Sequence, residues 1–258
     1  TLLAFCFMAL TLAPLSAEPV QSSPSAVTRN PTAVSLLQQS ISAMGSPLPS
    51  DSVANGTAVL TAGSLTESGT VRILTLGTSQ TLEQLVTPHV NRSVIFSNFQ
   101  ANVVTAGSVM TLPLEVVSTS QSVSFPLPFI AGVLSNSDIA IQYIGLETLN
   151  GSSVQHVQIQ DTFASQPNLQ GLSALTLRDI WLDATSSLPV RIAWSSQVTE
   201  GPNVGISAAT TFSNYQSFGT ARYPTSLIEY VGGEPLITVT IQSVAFSTGL
   251  TGSSFPIQ

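Results

Sequence analysis

The residues able to do chemistry are few and scattered. His89 lies in TPHVN and His156 in SVQHVQIQ, and neither belongs to a paired-histidine, H-E-x-x-H or cysteine-cluster spacing. No metal-ligand set follows from that pattern, and we expect no metal and no cofactor. Val157 and Ile159 alternate with polar neighbours, which places His156 on a strand face shared with Gln158 and Gln160, toward solvent. Asp179 and Asp183 flank Ile180-Trp181-Leu182 and sit four apart. On a strand, an even separation puts both carboxylates on one side. Such a pair can serve glycoside hydrolysis; the favoured reading is a solvated strand edge and the first residue of a turn. Asp138 and Asp161 read as turn or surface residues. Serines are plentiful, but no G-x-S-x-G elbow and no glycine-rich phosphate loop accompanies them. The chain is therefore expected not to be an enzyme. An extracellular hydrolase stays a minor alternative that rests on Asp179 and Asp183.

Composition narrows the partners. Only 7% of the 258 residues are charged, the net charge is −7, and lysine is absent. The six basic residues are Arg29, Arg72, Arg92, Arg178, Arg191 and Arg222, spread along the chain. Nucleic acid and anionic membrane surfaces are disfavoured on that balance. Serine and threonine make up about a quarter of the chain, which suits strands and turns better than helices.

The first residues read TLLAFCFMALTLAPLSAEP. An apolar run from Leu2 to Leu12 is too short for a bilayer span of about 20 residues and matches the core of a secretory signal. Residues 1–17 are read as that signal, cut after Ala17. Phe5 precedes Cys6, which argues against a lipid anchor. Removal of the signal takes away the chain's one cysteine, so disulfides and thiolate ligands are not expected. No later run is apolar enough to cross a membrane, and a periplasmic or secreted product, not an integral membrane protein, is expected.

Residues 18–30 are Pro- and Ser-rich and are read as a flexible leader. Asn30-Pro31 has the chemistry of a helix start. Val34, Leu37, Ile41 and Met44 form one apolar stripe, and Gly45 with Pro47 and Pro49 stops the helix. Short strand patterns follow: 56–62, 69–76, 93–104, 108–117, 139–149, 153–163, 178–183, 190–198, 206–215, 225–231 and 236–246. Asn150-Gly151 and Gly232-Gly233 are hairpin turns. The apolar phase of Ile237, Val239 and Ile241 shifts by one at Val244 and Phe246, which predicts a bulge near Gln242-Ser243. TLEQLV at 81–86 reads as a helical turn. FPLPFIAGVL at 125–134 reads as a short helix from about Pro128, and either packs as a core connection or serves as a lid. Antiparallel hairpins plus one long helix imply a mainly β (α+β) fold, a single large curved sheet with a helix or two over its concave face.

The C-terminal third carries a resemblance. DIWLDATSSLPVRI (179–192) resembles the W-x-D-x-x-T-x-L-P-x-R hairpin of LolA-like, outer-membrane lipoprotein-sorting proteins. TTFSNYQSFGTARYPTSLIEY (210–230) and LITVTIQSVAFSTGL (236–250) resemble their following strands. The resemblance is good over 178–258 and faint over 53–165. It implies a half-open β-barrel at 31–258, with an N-terminal helix and a short helical lid over an apolar cavity for lipid or lipoprotein acyl chains. On that picture 125–134 is the lid. Its apolar contacts are Leu127, Phe129, Ile130, Val133 and Leu134, and Trp181 or Trp194 faces the cavity according to register. The expected partners are a lipid or lipoprotein acyl chain, or an envelope protein. The alternative function is a non-catalytic structural or envelope-interaction module on the same fold.

Overall fold

Asn30 opens the first helix as its chemistry demands. Its side chain accepts a hydrogen bond from the Ala33 N–H at 3.1 Å, and Pro31 takes the first helical position. The resulting α1 (Pro31–Met44) buries Ala33, Leu37 and Met44, with Val34 and Ile41 packed beside them. Gly45, at φ 131, ends it by donating to the Ile41 carbonyl, and the Thr220 backbone lies where a side chain at 45 would go. The computed structural model describes residues 27–120, 123–196 and 205–257. The signal at 1–17 and the leader at 18–26 lie outside the described residues.

The rest is one antiparallel sheet. Its strands are β1 (Asp51–Ala62), β2 (Leu65–Leu76), β3 (Gln80–Val86), β4 (Asn91–Ser97), β5 (Gln100–Thr105), β6 (Ser108–Thr111), β7 (Ile139–Leu149), β8 (Ser152–Asp161), β9 (Arg178–Asp183), β10 (Pro189–Ser196), β11 (Ile206–Phe218), β12 (Ala221–Val231) and β13 (Glu234–Phe246). Every neighbour in the sheet is a neighbour in sequence except where β1 pairs with β13. The order runs from β6 at one edge through β1 and β13 to β7 at the other, and the sheet does not close. This is the mainly β, half-open architecture. The inner face is the one that α1 and a second long helix, α3 (Pro126–Ser135), cover. A shorter helix, α2 (Leu114–Ser120), precedes α3, and a 3₁₀ segment (Pro167–Thr176) links β8 to β9.

Local chemistry accounts for the register. Asn150 (φ 51) and Gly151 (φ 82) form the expected left-handed hairpin turn between β7 and β8. The β1–β13 register shifts at Asn55/Gly56, where Ser243 and Ile241 are successive partners and Gln242 is the extra residue. The bulge lies where the apolar phase slips.

Three expectations are corrected. Residues 81–86 are strand β3, not a helical turn: Glu83 and Leu85 point inward and Leu82 outward, so the strand lacks an apolar alternation. Residues 93–104 are two strands, turned at Asn98-Phe99. The strand expected over 108–117 stops at Thr111. Beyond Pro113 the chain is α2, whose Val117 N–H donates to the Pro113 carbonyl. The end of the leader is also ordered, because Ile141 exchanges backbone hydrogen bonds with Thr28 and Asn30.

Candidate ligand pocket on the inner face

The α3 helix is built to stay on the sheet. Leu127 and Ile130 are fully buried and Val133 nearly so, while Phe129 and Leu134 are half-buried against the same core. Fully burying each large aliphatic side chain contributes roughly 1.5–3 kcal/mol. At the C-terminus of α3, Arg29 donates to the carbonyls of Asn136 (2.6 Å), Leu134 (3.0 Å) and Val133 (3.4 Å). A cation there meets orphan carbonyls and the negative end of the helix dipole.

Beside this helix lies a cavity of about 390 Å³. Its apolar wall comes from Phe96, Phe129, Val133, Ile139, Ile159 and Phe163. Its polar groups include Arg178, Asp161, Thr176 and Ser118. Phe99 stands at its margin, 53% exposed, with its ring centroid 6.3 Å from that of Phe163. Both phenylalanines have left-handed backbone, φ 65 and φ 49, a conformation that bulky residues rarely adopt. Asp161 accepts from the Phe163 N–H (2.9 Å) and the Asn136 amide (3.3 Å). Burial, with Asp138 nearby, nonetheless pushes its carboxyl up from the usual aspartate value.

Arg178 is the first residue of β9 and points inward. It is 4% exposed, with its guanidinium over the Phe129 ring at 5.5 Å and over the Trp194 ring at 5.4 Å. Desolvation lowers its pKa to about 10, so it stays cationic near neutral pH. Trp194 lines a second cavity of about 230 Å³ with Glu83, Arg92, Phe96, Thr210 and Glu229. Phe96 is common to both cavities. Glu229 is half-buried, and desolvation together with Glu83 raises its pKa to about 8 against the opposing pull of Arg92. Glu83 accepts a 2.7 Å hydrogen bond from the Ser124 hydroxyl.

No family model and no curated protein matches the sequence. Solved structures do match the fold. An outer membrane lipoprotein-sorting protein domain from Vibrio parahaemolyticus superposes with a TM-score of 0.58 at 12% identity, over 87% of this chain and 96% of that one. A LolA superfamily protein from Nitrosomonas europaea gives 0.56 at 11% identity, over 87% and 97%. The chain has the LolA-like fold. A DUF1329 family protein from Desulfovibrio piger shares it as well, with a TM-score of 0.55 at 11% identity over 87% and 96%. At this identity the likeness is one of fold, and it reaches across the middle of the chain where the sequence resemblance is faint.

On this LolA-like sheet the two tryptophans part company. Trp194 pairs with Arg178 and faces inward. Trp181 pairs with His156 and Arg191 and stands on the outer face, away from both cavities, which corrects its placement as a cavity residue. Of the helix residues, Phe129 and Val133 line the larger cavity, whereas Leu127, Ile130 and Leu134 pack elsewhere in the core.

The outer face holds a polar cluster instead. His156 lies between Glu147 and Asp179, with its Nδ1 and Nε2 each 2.8 Å from a carboxylate oxygen. The Trp181 indole donates to Glu147 at 3.0 Å and stacks on His156 at 4.5 Å, with Arg191 over the same indole at 5.6 Å. His156 is thus 9% exposed, not open to solvent as its neighbours suggest. Asp183 begins a turn, accepting from the Ser186 N–H (2.7 Å) and the Thr185 N–H (3.2 Å). Asp179 and Asp183 share a face, but each is engaged separately.

Proposed function

We propose that the chain is an exported binding or carrier protein of the periplasm whose inner cavity holds an acyl chain of a lipid or lipoprotein. One observation carries the reading: a cavity of about 390 Å³, walled by Phe96, Phe129, Val133, Ile139, Ile159 and Phe163, lies beside a helix packed over the open sheet. That size falls in the range of small-molecule pockets, about 300–1,000 Å³. Transfer of an alkyl chain into such a wall gains ~0.8 kcal/mol per buried methylene and needs no reactive group. The role is non-catalytic: the cavity takes up and shields the chain, and α3 forms one side of it. Among the described residues no helix is long and apolar enough to cross a membrane.

The test is native mass spectrometry of the protein purified without detergent, with a fluorescent long-chain probe added to the stripped protein. Lipid adducts and saturable probe binding are the expected result. A clean protein mass together with no probe binding would reject the reading.

A second reading is favoured by how much of the inner face is already filled. Leu37, Met44, Leu127 and Ile130 are fully buried there, so α1 and α3 occupy much of the space an open half-barrel would offer. On that reading the same fold is an envelope-interaction module. Recovery of a defined envelope protein by cross-linking, with no lipid adduct, would favour it.

A further inference from the structure

Arg178 is an unexpected residue to find in an apolar wall. The chain has six basic residues and no lysine, yet one of the six is buried on the inner face. Removing a guanidinium from water is expensive unless anionic or π partners meet it. Phe129, from α3, and Trp194, from β10, meet its cationic centre at 5.5 and 5.4 Å. A guanidinium has five N–H donors, all lying in its plane, which is more than one acceptor group can use. Arg178 itself forms part of the wall of the larger cavity, beside Thr176 and Ser118.

The cavity is polarised along β8 and β9. Arg178 pairs with Ile159, and Asp161 lies two residues further along the same face of β8. Two residues span about 6.6 Å of strand. Phe163 follows, with Phe99 against it at the exposed margin. The wall therefore runs from a buried cation, past Ile159 and Phe129, to an aromatic pair near solvent. Asp161 lies between the cation and the aromatic pair, where its carboxyl disfavours an anion, and so leaves Arg178 as the group that would receive one.

We propose that the cavity selects a single-chain amphiphile with an anionic head, such as a long-chain carboxylate, with the head at the edge of Arg178 and the tail extending toward Phe163 and Phe99. Arg178 acts as a binding residue, and Phe129 and Trp194 hold its guanidinium in place. A flat fork of donors suits a carboxylate, which it engages through two parallel N–H···O bonds. The inference rests on the carrier reading of the same cavity and adds head-group selection to it.

Competition binding with hexadecanoate, hexadecanol and hexadecylammonium tests this with chain length held constant. Hexadecanoate is expected to bind about tenfold or more tightly than the other two, the size of a charge-assisted hydrogen bond. In Arg178→Gln that preference should collapse while hexadecanol binding persists. Equal affinities for all three in the unaltered protein would overturn the head-group assignment and leave the carrier reading standing. Failure of all three to bind would overturn both. A preference that survives in Arg178→Gln would place the selecting group elsewhere.

A second measurement avoids replacing a buried residue. In Trp181→Phe, the remaining indole is Trp194, 5.4 Å from the Arg178 guanidinium. Hexadecanoate brominated beside the carboxylate should quench it more strongly than hexadecanoate brominated at the terminal carbon. The reverse order would mean that the chain binds tail-first and would overturn the proposal.

Discussion

The guanidinium of Arg29 donates to the backbone carbonyl of Asn136 across 2.6 Å, and so ties the segment leading into α1 to the end of α3. The two positions are 107 residues apart in sequence. The same arginine also donates to Leu134 and Val133, so three carbonyls at the helix terminus share one cation. Arg29 is half-buried and its backbone bridges Ile141 of β7. One side chain thus holds the helix that borders the cavity.

Replacing Arg29 with glutamine should loosen that end. Hydrogen bonds to a charged group contribute about 1.5–3 kcal/mol each when buried, and partial exposure reduces the figure. We expect a loss of about 1–2 kcal/mol in chemical denaturation. Amide exchange at residues 130–136 should accelerate more than exchange in β11–β13. Uniform acceleration over the whole chain would show that Arg29 is a general core contact and not a clamp on α3.

A different balance operates at Phe99. Asn98 (φ 50) and Phe99 (φ 65) make the turn between β4 and β5, a geometry for which Asn-Gly is the preferred pair. A left-handed backbone at a residue with a side chain is disfavoured by about 1–2 kcal/mol. The ring returns part of that through its contact with Phe163. Phe99→Gly is expected to raise stability by about 0.5–1 kcal/mol, while the fluorescent chain dissociates faster from a less covered cavity. A lower melting temperature in this variant would show that the aromatic contact outweighs the backbone strain.

The legible parts of the fold are those whose signals are local. Asn30-Pro31, Asn150-Gly151 and the phase slip at Gln242 each act within a few residues, and each produces its helix start, hairpin or bulge in the structure. Residues 81–86 misled because Leu82, Leu85 and Val86 have helical spacing, while the inward strand position is taken by Glu83. Glu83 sits inward because Ser124, 41 residues away, donates to it. The β-branched Val116 and Val117 disguised α2 as a strand. The apolar helix at 125–134 was visible, but Arg178 and Asp161 were not visible as cavity residues. Their settings depend on Phe129, Trp194 and Asn136, brought in from other elements, and no spacing in the sequence records that.

Glu229 makes stability depend on pH. Its folded pKa, about 8, lies above the ordinary glutamate value of 4.5. The folded state therefore holds a proton that the unfolded chain releases first. Stability from this group is fully present below the unfolded value and is lost as pH rises through about 8. Glu229→Gln, which cannot ionise, should abolish that decline. Denaturation midpoints taken on both sides of the window provide the check. A decline of equal size in both proteins would assign it to another group.

Glu147 has the opposite sign. The Trp181 indole N–H, and then the His156 ring, hold its carboxylate below the usual 4.5. Its contribution is present above the unfolded value and disappears as pH falls through the lower folded one. The side chain is 41% exposed, so added salt should weaken the effect. Trp181 offers a direct readout, because protonation of Glu147 removes the charged acceptor of its indole N–H. With Trp194→Phe as background, the Trp181 emission should titrate with a midpoint below 4.5, and Glu147→Gln should erase the transition. A midpoint at or above the ordinary value would mean that the indole and imidazole hydrogen bonds do not favour the carboxylate, and that the outer-face cluster is held by stacking alone.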